Sequence, residues 1–285
     1  MVALGGGHGL ATTLRAVRLY AGRTTAVVSV ADDGGSSGRL RQTVGIPAPG
    51  DLRRCLVAMA RDEASPWAQA LEYRFPAGDM AGHALGNLII AGLAEVTGDF
   101  GLALDLAADL VGVAGRVLPA TLVPVVLKAD VSGREVLGQV NVSATDGPIT
   151  EVSIVPGDAP SPAEVLEAVA GADQVVIGPG SLFTSVLAVC SVGGIRQALA
   201  GRRGGRVYVC NLRPQIPETA GFDAPAHLDA LRRHGVAPDV VVVDSRSPGL
   251  PGDIRVVSAD LARSDGGGHD PARLAAVLAA LTGER

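Results

Sequence analysis

Aromatic residues are scarce in this sequence, at 3% of its 285 residues, so its core must be built from Val, Leu, Ile and Ala. Hydrophobic residues nevertheless make up 47% of the chain, and 38 residues are glycine. Small aliphatic side chains and many glycines are typical of chains in which short strands turn tightly into helices. The composition therefore predicts an α/β protein, long enough for one large domain.

Concentrated positive charge is also missing, because the net charge is −5 and the arginines are scattered. Nucleic acids and anionic membranes are bound by a concentrated positive field, so we expect neither as a partner. No apolar run reaches the roughly 20 residues of a membrane span, and the chain opens directly on a predicted strand, with no room for a signal peptide. We expect a cytoplasmic protein, without membrane insertion, that binds small molecules.

Several signatures of metal binding and catalysis are absent. Cys55, Cys190 and Cys210 stand singly, without a CxxC pair, and we interpret them as reduced packing residues. The five histidines form no HxH or HExxH pattern, which argues against a zinc site. No G-x-S-x-G nucleophile elbow occurs either. The sequence thus offers no obvious nucleophile or general base.

The order of the apolar runs predicts the architecture. MVAL, TTAVVSVA, DQVVI, RVYVC and DVVVVDS are typical of buried parallel strands, and helical patterns separate them. Between about residues 118 and 156, β-rich runs separated by SGR and TDGP predict an antiparallel excursion. We predict an α/β fold with a mostly parallel sheet, forming a single domain over residues 1–285 with a β-rich excursion at about 118–156.

A glycine-rich loop, GGGHGL, follows the first predicted strand, and we expect a helix from Leu10 onward. Such a loop presents backbone N–H groups at a helix N-terminus, where the helix dipole favours a phosphate. Leu10 breaks the dinucleotide pattern G-x-G-x-x-G, and no Gly-Lys-Ser/Thr follows to complete a P-loop. The loop could therefore be only a tight turn, and we interpret His8 as oriented by it rather than as a catalytic base.

The stretch ADDGGSSGRLR follows the second predicted strand and combines carboxylates, hydroxyls and guanidinium groups. One of Asp32 and Asp33 could accept hydrogen bonds from ribose hydroxyls, while the other could hold a Mg²⁺ ion or simply cap a turn. Ser36, Ser37 and Arg39 follow on what we interpret as flexible backbone, and they suit a second phosphate. A solvated flexible turn is the alternative.

Polar or glycine-rich loops also follow two later strands. GPGSLFTS places Gly178, Gly180 and Ser181 between a strand and a helix, and Asn211 comes directly after RVYVC. The carboxyl ends of parallel strands meet at one edge of a sheet, where open α/β folds bind their ligands. We therefore expect the four loops to outline a single crevice.

His83 and Asn87 interrupt an apolar segment, GHALGNLII, that we predict to be helical. Residues four apart share one face of a helix. The two side chains either point into the crevice or satisfy buried backbone groups.

Taken in order, several strings resemble the YvcK-type gluconeogenesis factors, relatives of 2-phospho-L-lactate transferase (CofD): GGGHGL, VADDGGSSGRLR, PGDLR, YRF, GHALGNL, GPGSLFTS, NLRPQ with ETAGF, and HDP. They span nearly the whole chain. The resemblance implies a Rossmann-like, CofD-like fold with helices on both faces of the sheet. It also implies a cytoplasmic homodimer that binds UDP-N-acetylglucosamine or UDP-glucose, requires no cofactor and regulates cell-envelope synthesis and cell shape during gluconeogenic growth, with cell-wall synthesis proteins as candidate partners.

The same resemblance implies a set of nucleotide- and phosphate-binding residues. They are Gly6, Gly7, His8, Gly9, Asp32, Asp33, Ser36, Ser37, Arg39, Asn87, Gly178, Gly180, Ser181 and Asn211. Asp32 and Asp33 are also the candidate ligands of Mg²⁺.

The transferase relatives supply an alternative function. CofD transfers phospholactate, or a close analogue, from a guanylated donor to a deazaflavin precursor with the help of Mg²⁺. This chain has GPGSL where the transferases usually show GPSNP, and DDGGSSGRLR where they have a shorter acidic loop. These departures favour the sugar-nucleotide binder, and a Mg²⁺-dependent transferase is the alternative.

Overall fold

A computed structural model describes residues 1–247, 249–250 and 252–282 of the chain. Residues 283–285, at the end of the predicted domain, lie outside the described residues. The model contains a large parallel sheet and a small antiparallel sheet. The strands are β1 (Val2–Gly5), β2 (Thr25–Val28), β3 (Arg116–Pro119), β4 (Val126–Val131), β5 (Arg134–Leu137), β6 (Ile149–Val155), β7 (Val175–Ile177), β8 (Arg206–Val209), β9 (Val240–Asp244) and β10 (Arg255–Ala259).

The helices surround the large sheet. They are α1 (Gly7–Val17), α2 (Gly35–Val44), α3 (Gly50–Ala58), α4 (Pro66–Glu72), α5 (Leu85–Thr97), α6 (Phe100–Val111), α7 (Gln139–Ser143), α8 (Ala163–Gly171), a π-helix (Leu182–Leu187), α9 (Ala188–Cys190), α10 (Gly193–Ala200), α11 (Ala224–Arg233) and α12 (Pro271–Ala280). Among the described residues no single helix has the length and apolar character to cross a membrane, and one bent pair, Leu182–Cys190 with Gly193–Ala200, passes that test only jointly.

The large sheet has the strand order β10-β9-β8-β7-β1-β2-β3, and every pairing in it is parallel. The chain moves outward from β1 to β3, returns to β7 beside β1, and then continues outward to β10. The direction of winding therefore reverses between β1 and β7. In open α/β sheets, the crevice at such a reversal is where ligands bind.

Burial explains why these runs form central strands. All residues of β1, β7 and β9 are buried, as expected for β-branched and aliphatic strands covered by helices on both faces. The predicted fold class is confirmed. The edge strand β10 was not predicted, because most of its residues are exposed and its sequence, RVVSA, carries little apolar pattern.

The antiparallel excursion is confirmed, with narrower bounds. The small sheet has the order β5-β4-β6, and along β4 half-buried and buried residues alternate. The last two residues of β3, Leu118 and Pro119, fall within the predicted excursion but belong to the large sheet. The run EVLGQVNV is strand only in its first part, because Gly138, at a φ of 94°, turns the chain into α7.

One helix begins earlier than predicted, and another occupies a segment that was not predicted to be helical. The α1 helix starts at Gly7 rather than Leu10, so His8 and Gly9 lie in its first turn. The segment interpreted as flexible backbone after Asp33 is the helix α2. The apolar pattern of α2 is weak in the sequence, because the helix has a single buried aliphatic residue, Leu40. Leu40 packs in a cluster with Ile46 and the alanines of α5 and α6.

Candidate functional site

A cleft with a volume of about 420 Å³ opens at the carboxyl edge of the large sheet. Loops after β1, β2 and β7 contribute to its lining, so it lies at the reversal between β1 and β7. Ten of the residues predicted for nucleotide or phosphate binding line it: Gly6, Gly7, His8, Gly9, Asp32, Ser36, Ser37, Asn87, Gly180 and Ser181. Their assignment to a ligand stays a prediction, but the structure brings them together.

The first wall of the cleft is formed by the N-terminus of α1 packed against the loop after β7. A Cβ atom at Gly9 would lie 2.2 Å from the carbonyl oxygen of Pro179 and 2.8 Å from Cα of Gly180, so only glycine allows this approach. Thr13, one turn further along α1, donates from Oγ1 to the carbonyl of Gly178 at 2.9 Å. Gly178 therefore supports the wall from behind, outside the cleft lining.

Two carboxylates, Asp32 and Asp51, line the cleft. Asp51 is buried and pairs with Arg54 at 2.7 Å. Burial and then repulsion from Asp32 raise the pKa of Asp51, while Arg54 and a hydrogen bond from the N–H of Gly7 act in the opposite direction. The two acidic groups are thus close enough for their charges to interact.

This pair suits Mg²⁺ better than it suits a metal ion whose ligands all come from the protein. No group of three or more potential ligands from His, Cys, Asp and Glu occurs in the described part of the chain. Mg²⁺ is commonly held by one or two carboxylates, with substrate phosphates and waters completing its octahedron. Asp32 and Asp51 supply that donor set, whereas the sequence pattern pairs Asp32 with Asp33.

Asp33 points to the small sheet instead of lining the cleft. Its Oδ1 accepts a hydrogen bond from the N–H of Val140, in α7, at 2.9 Å. A Cβ atom at Gly138 would lie 2.4 Å from the other carboxylate oxygen, so glycine is needed for this contact. The neighbouring residue Gln139 lines the cleft. Asp33 therefore holds α7, and with it Gln139, at the edge of the cleft.

A buried polar network forms the second wall. Oγ of Ser36 lies 3.1 Å from Nδ1 of His83 and accepts a hydrogen bond from Nδ2 of Asn87 at 3.1 Å. Nε of Arg53 donates to Oδ1 of Asn87 at 3.0 Å, and its Nη1 lies 2.6 Å from a carboxylate oxygen of Glu72. His83 precedes α5 rather than lying on it, so the predicted shared helical face is wrong, yet both side chains converge on Ser36.

Arg53 was missed by the sequence reasoning, although it is only 1% exposed and lines the cleft. Burial lowers its pKa, and the hydrogen bond to Glu72 restores part of the loss. Arg54 and Arg74 also line the cleft. Arg39, the predicted phosphate ligand, instead donates to the carbonyl of Ala81 at 2.9 Å and lies outside the lining.

The loop after β8 braces the first wall. Asn211 accepts a hydrogen bond from the N–H of Gly180 at 3.0 Å and donates to its carbonyl at 2.8 Å. The buried carboxylate of Glu218 accepts hydrogen bonds from the N–H groups of Phe183 and Thr184 at the start of the π-helix. Burial raises the pKa of Glu218, and these bonds oppose the rise. Both residues hold the loop that carries Gly180.

The arrangement can bind a polyanion. Backbone N–H groups of a helix N-terminus, buried guanidinium and amide groups, and two carboxylates suited to Mg²⁺ surround one space. A diphosphate presents charges that all three elements can contact together.

Comparison with family models matches one family to most of the chain. The family described as 2-phospho-L-lactate transferase CofD matches residues 1–265. Its match covers the cleft, both of its walls and the small sheet.

Two curated relatives are similar over most of the chain. A Mycobacterium tuberculosis protein named "Putative gluconeogenesis factor" is 42% identical over 98% of this chain and 89% of its own length. A Halalkalibacterium halodurans protein named "Gluconeogenesis factor" is 41% identical over 85% of this chain and 76% of its own length.

A solved structure has the same architecture. The crystal structure of a UPF0052 family member from Bacillus halodurans matches with a TM-score of 0.91 and 33% identity, covering 97% of each chain. The fold described above is therefore shared with an experimentally determined relative.

Proposed function

The chain belongs to the CofD family, and from that premise we propose that it is a sugar-nucleotide-responsive regulator that binds UDP-N-acetylglucosamine or UDP-glucose without turning it over. The observation that carries the proposal is the polyanion-binding cleft at the strand reversal, with a glycine-built helix N-terminus on one side and the Asp32–Asp51 pair below it. The relatives named gluconeogenesis factors support this choice over the transferase.

The proposal assigns the diphosphate to the space between the first turn of α1 and the buried network. Gly9 approaches it through the backbone, while Arg53 and Ser36 face it from the second wall. When Mg²⁺ is bound, it neutralises phosphate charge. Asp32 and Asp51 would hold that ion.

The regulatory role is part of the same proposal. The protein acts in the cytoplasm as a homodimer and transmits the level of the sugar nucleotide to cell-wall synthesis proteins during gluconeogenic growth. The names of the relatives motivate the link to gluconeogenesis.

Isothermal titration tests the proposal directly. Wild type and Asp32→Asn are titrated with UDP-N-acetylglucosamine, UDP-glucose and GDP, each with and without Mg²⁺. We expect UDP-sugar binding that Mg²⁺ strengthens in wild type but not in the variant. Asp229→Asn, at an exposed position on α11, is the matched control. Preference for GDP, or a Mg²⁺ response that survives in Asp32→Asn, would contradict the proposal.

The second candidate function is Mg²⁺-dependent transfer of a phospholactate-type group from a guanylated donor to a deazaflavin precursor. The facing carboxylates Asp32 and Asp51 and the match to the transferase family model favour it. Incubation with such a donor and acceptor and Mg²⁺ distinguishes the two functions. Formation of the coupled product would establish the transferase, and its absence under varied metal conditions would reject it.

A further inference from the structure

The large sheet ends at β10, and no other strand in the described part of the chain pairs with the outer edge of β10. We propose that this edge pairs, antiparallel, with the same edge of a second copy of the chain. The pairing joins two seven-stranded sheets into one continuous sheet. The inference rests on the homodimer of the proposed function, and it adds the surface through which the two copies meet.

Alternate residues of β10 turn their backbone groups toward β9 and away from it. The carbonyl of Ala259 accepts a hydrogen bond from the N–H of Ser245, directly after β9. In a parallel pair every second residue faces the neighbouring strand, so Val257 also faces β9. Val256 and Ser258 therefore point their N–H and C=O groups outward. Within the described ranges, these outward groups have no hydrogen-bond partner.

The other edges of the two sheets are protected, as sheet edges usually are. At the opposite end of the large sheet, β3 carries Pro119, which has no N–H to offer a further strand. In the small sheet, the N–H of Val152 in β6 donates to Nε2 of His234 at 2.9 Å. The other edge strand, β5, has only four residues and begins with Arg134 and Glu135. The outward residues of β10 are neither proline nor charged, so among the described strands this edge is the open one.

A second copy fits this edge in one register. When Val256 lies opposite Ser258 of the second copy, the two residues exchange both backbone hydrogen bonds, and the twofold axis repeats the exchange. All outward N–H and C=O groups of both strands are then paired. Val257 meets its own counterpart at the axis, in a pair without hydrogen bonds, where side chains lie closest. A shift of two residues would move one member of an exchange beyond the end of β10.

The charges along the strand agree with this register. Arg255 lies opposite Ala259 of the second copy, and Asp260 lies opposite Ile254. No like charges therefore face each other, an arrangement that would destabilise the pair. The carboxylate of Asp260 is also paired with Arg273 of its own chain. The second copy thus supplies, by symmetry, a neutral strand that complements β10.

Cysteine crosslinking tests the register. In the proposed pair, the Cα atoms of the two Val257 residues lie about 4.5 Å apart, within the range of about 4.4–6.8 Å that a disulfide bridges. Val257→Cys should form a covalent dimer when it is oxidised with diamide, as seen in non-reducing electrophoresis. Val256→Cys is the matched control and should stay uncrosslinked, because the two positions are diagonal neighbours about 7–8 Å apart. The native cysteines are buried, so wild type should also stay uncrosslinked.

A proline substitution tests the hydrogen bonds. Val256→Pro removes an outward N–H from each copy but no hydrogen bond to β9, so the subunit should keep its Tm. Sedimentation equilibrium should show the dissociation constant of the dimer raised about tenfold or more, because each dimer loses two hydrogen bonds. Val256→Ala shortens the same side chain but keeps the N–H, and it should dimerise nearly as well as wild type.

Either test can overturn the inference. Val257→Cys that forms no covalent dimer, or a dimer unaffected by Val256→Pro, would place the interface on another surface. Wild type that sediments as a monomer at every concentration would overturn it as well. Isothermal titration with UDP-N-acetylglucosamine on the same samples separates this failure from failure of the proposed function. A monomer that binds the UDP-sugar would contradict the strand pairing, whereas a crosslinked dimer that binds none would support the pairing and contradict the sugar-nucleotide regulator.

Discussion

Replacement of Asp33 by alanine should weaken ligand binding through Gln139 rather than by removing a ligand contact. Asp33 lies outside the lining of the cleft, and its carboxylate holds the N–H of Val140 at 2.9 Å. Gln139, next to Val140, does line that cleft. The substitution frees α7 from the carboxyl end of β2, so Gln139 loses its fixed position.

The structure limits the size of the effect. A hydrogen bond to a charged group contributes about 1.5–3 kcal/mol, but this one is exposed and water can replace the carboxylate. We therefore expect a loss of about 1 kcal/mol in the free energy of unfolding, equivalent to a decrease of about 2 °C in Tm for a chain of this length. The affinity for UDP-N-acetylglucosamine should fall about tenfold or less, corresponding to at most about 1.4 kcal/mol.

A double-mutant cycle tests the mechanism. The affinities of wild type, Asp33→Ala, Gln139→Ala and the double variant are compared by isothermal titration. If Asp33 acts through Gln139, the double variant binds no more weakly than the weaker single variant. Effects that add within about 0.5 kcal/mol would refute the reasoning, because independent contributions add. Asp130→Ala is the control, since Asp130 caps an exposed turn of the small sheet and should change stability without changing affinity.

Three further outcomes are expected. Gly9→Ala should lower the free energy of unfolding by about 3 kcal/mol, because its Cβ would meet a backbone oxygen at 2.2 Å. Gly22→Ala, with open space around the residue, should leave the free energy of unfolding nearly unchanged in the same denaturant titrations. Burial lowers the pKa of His227 to about 4, so the unfolded chain binds the proton more readily than the folded one. Up to about 3 kcal/mol of the free energy of unfolding should therefore be lost as pH falls from about 6.5 to about 4. His227→Gln should flatten this pH dependence, and an unchanged slope would contradict the prediction. Arg53→Ala should lower the free energy of unfolding by about 2 kcal/mol, because it leaves a buried amide and a carboxylate unpaired. Arg15→Ala, at a half-exposed ion pair, should lower it by less than about 1 kcal/mol. Equal effects of the two variants in thermal unfolding would contradict the expectation that burial strengthens the Arg53 contacts.

The parallel sheet and the position of the cleft could be predicted from local patterns. Runs such as TTAVVSVA and DVVVVDS are rich in β-branched residues, which is typical of parallel strands buried on both faces. The loops after them carry glycines and polar residues, and parallel pairing brings their carboxyl ends to one edge. Local sequence thus specifies both the strands and the edge at which a ligand would lie.

The partners of individual polar residues could not be predicted in the same way. Asp33 bonds to a residue 107 positions away, and nothing near it in the sequence distinguishes it from Asp32. Arg53 and Asp51 lie in a segment whose apolar periodicity identifies a helix but not the direction of its polar side chains. His83 reaches Ser36 from a loop, because the helix begins later than its apolar pattern suggests. These features depend on tertiary packing.

Phosphorus NMR of UDP-N-acetylglucosamine titrated with the protein and Mg²⁺ is the sharpest test of sugar-nucleotide binding without turnover, because it reports on the diphosphate and on its integrity in one sample. We expect both phosphorus resonances to shift or broaden on addition of wild type, Asp32→Asn to diminish the change, and intact UDP-sugar to be recovered. Resonances unaffected by wild type at millimolar ligand, or new signals from a cleaved product, would contradict it.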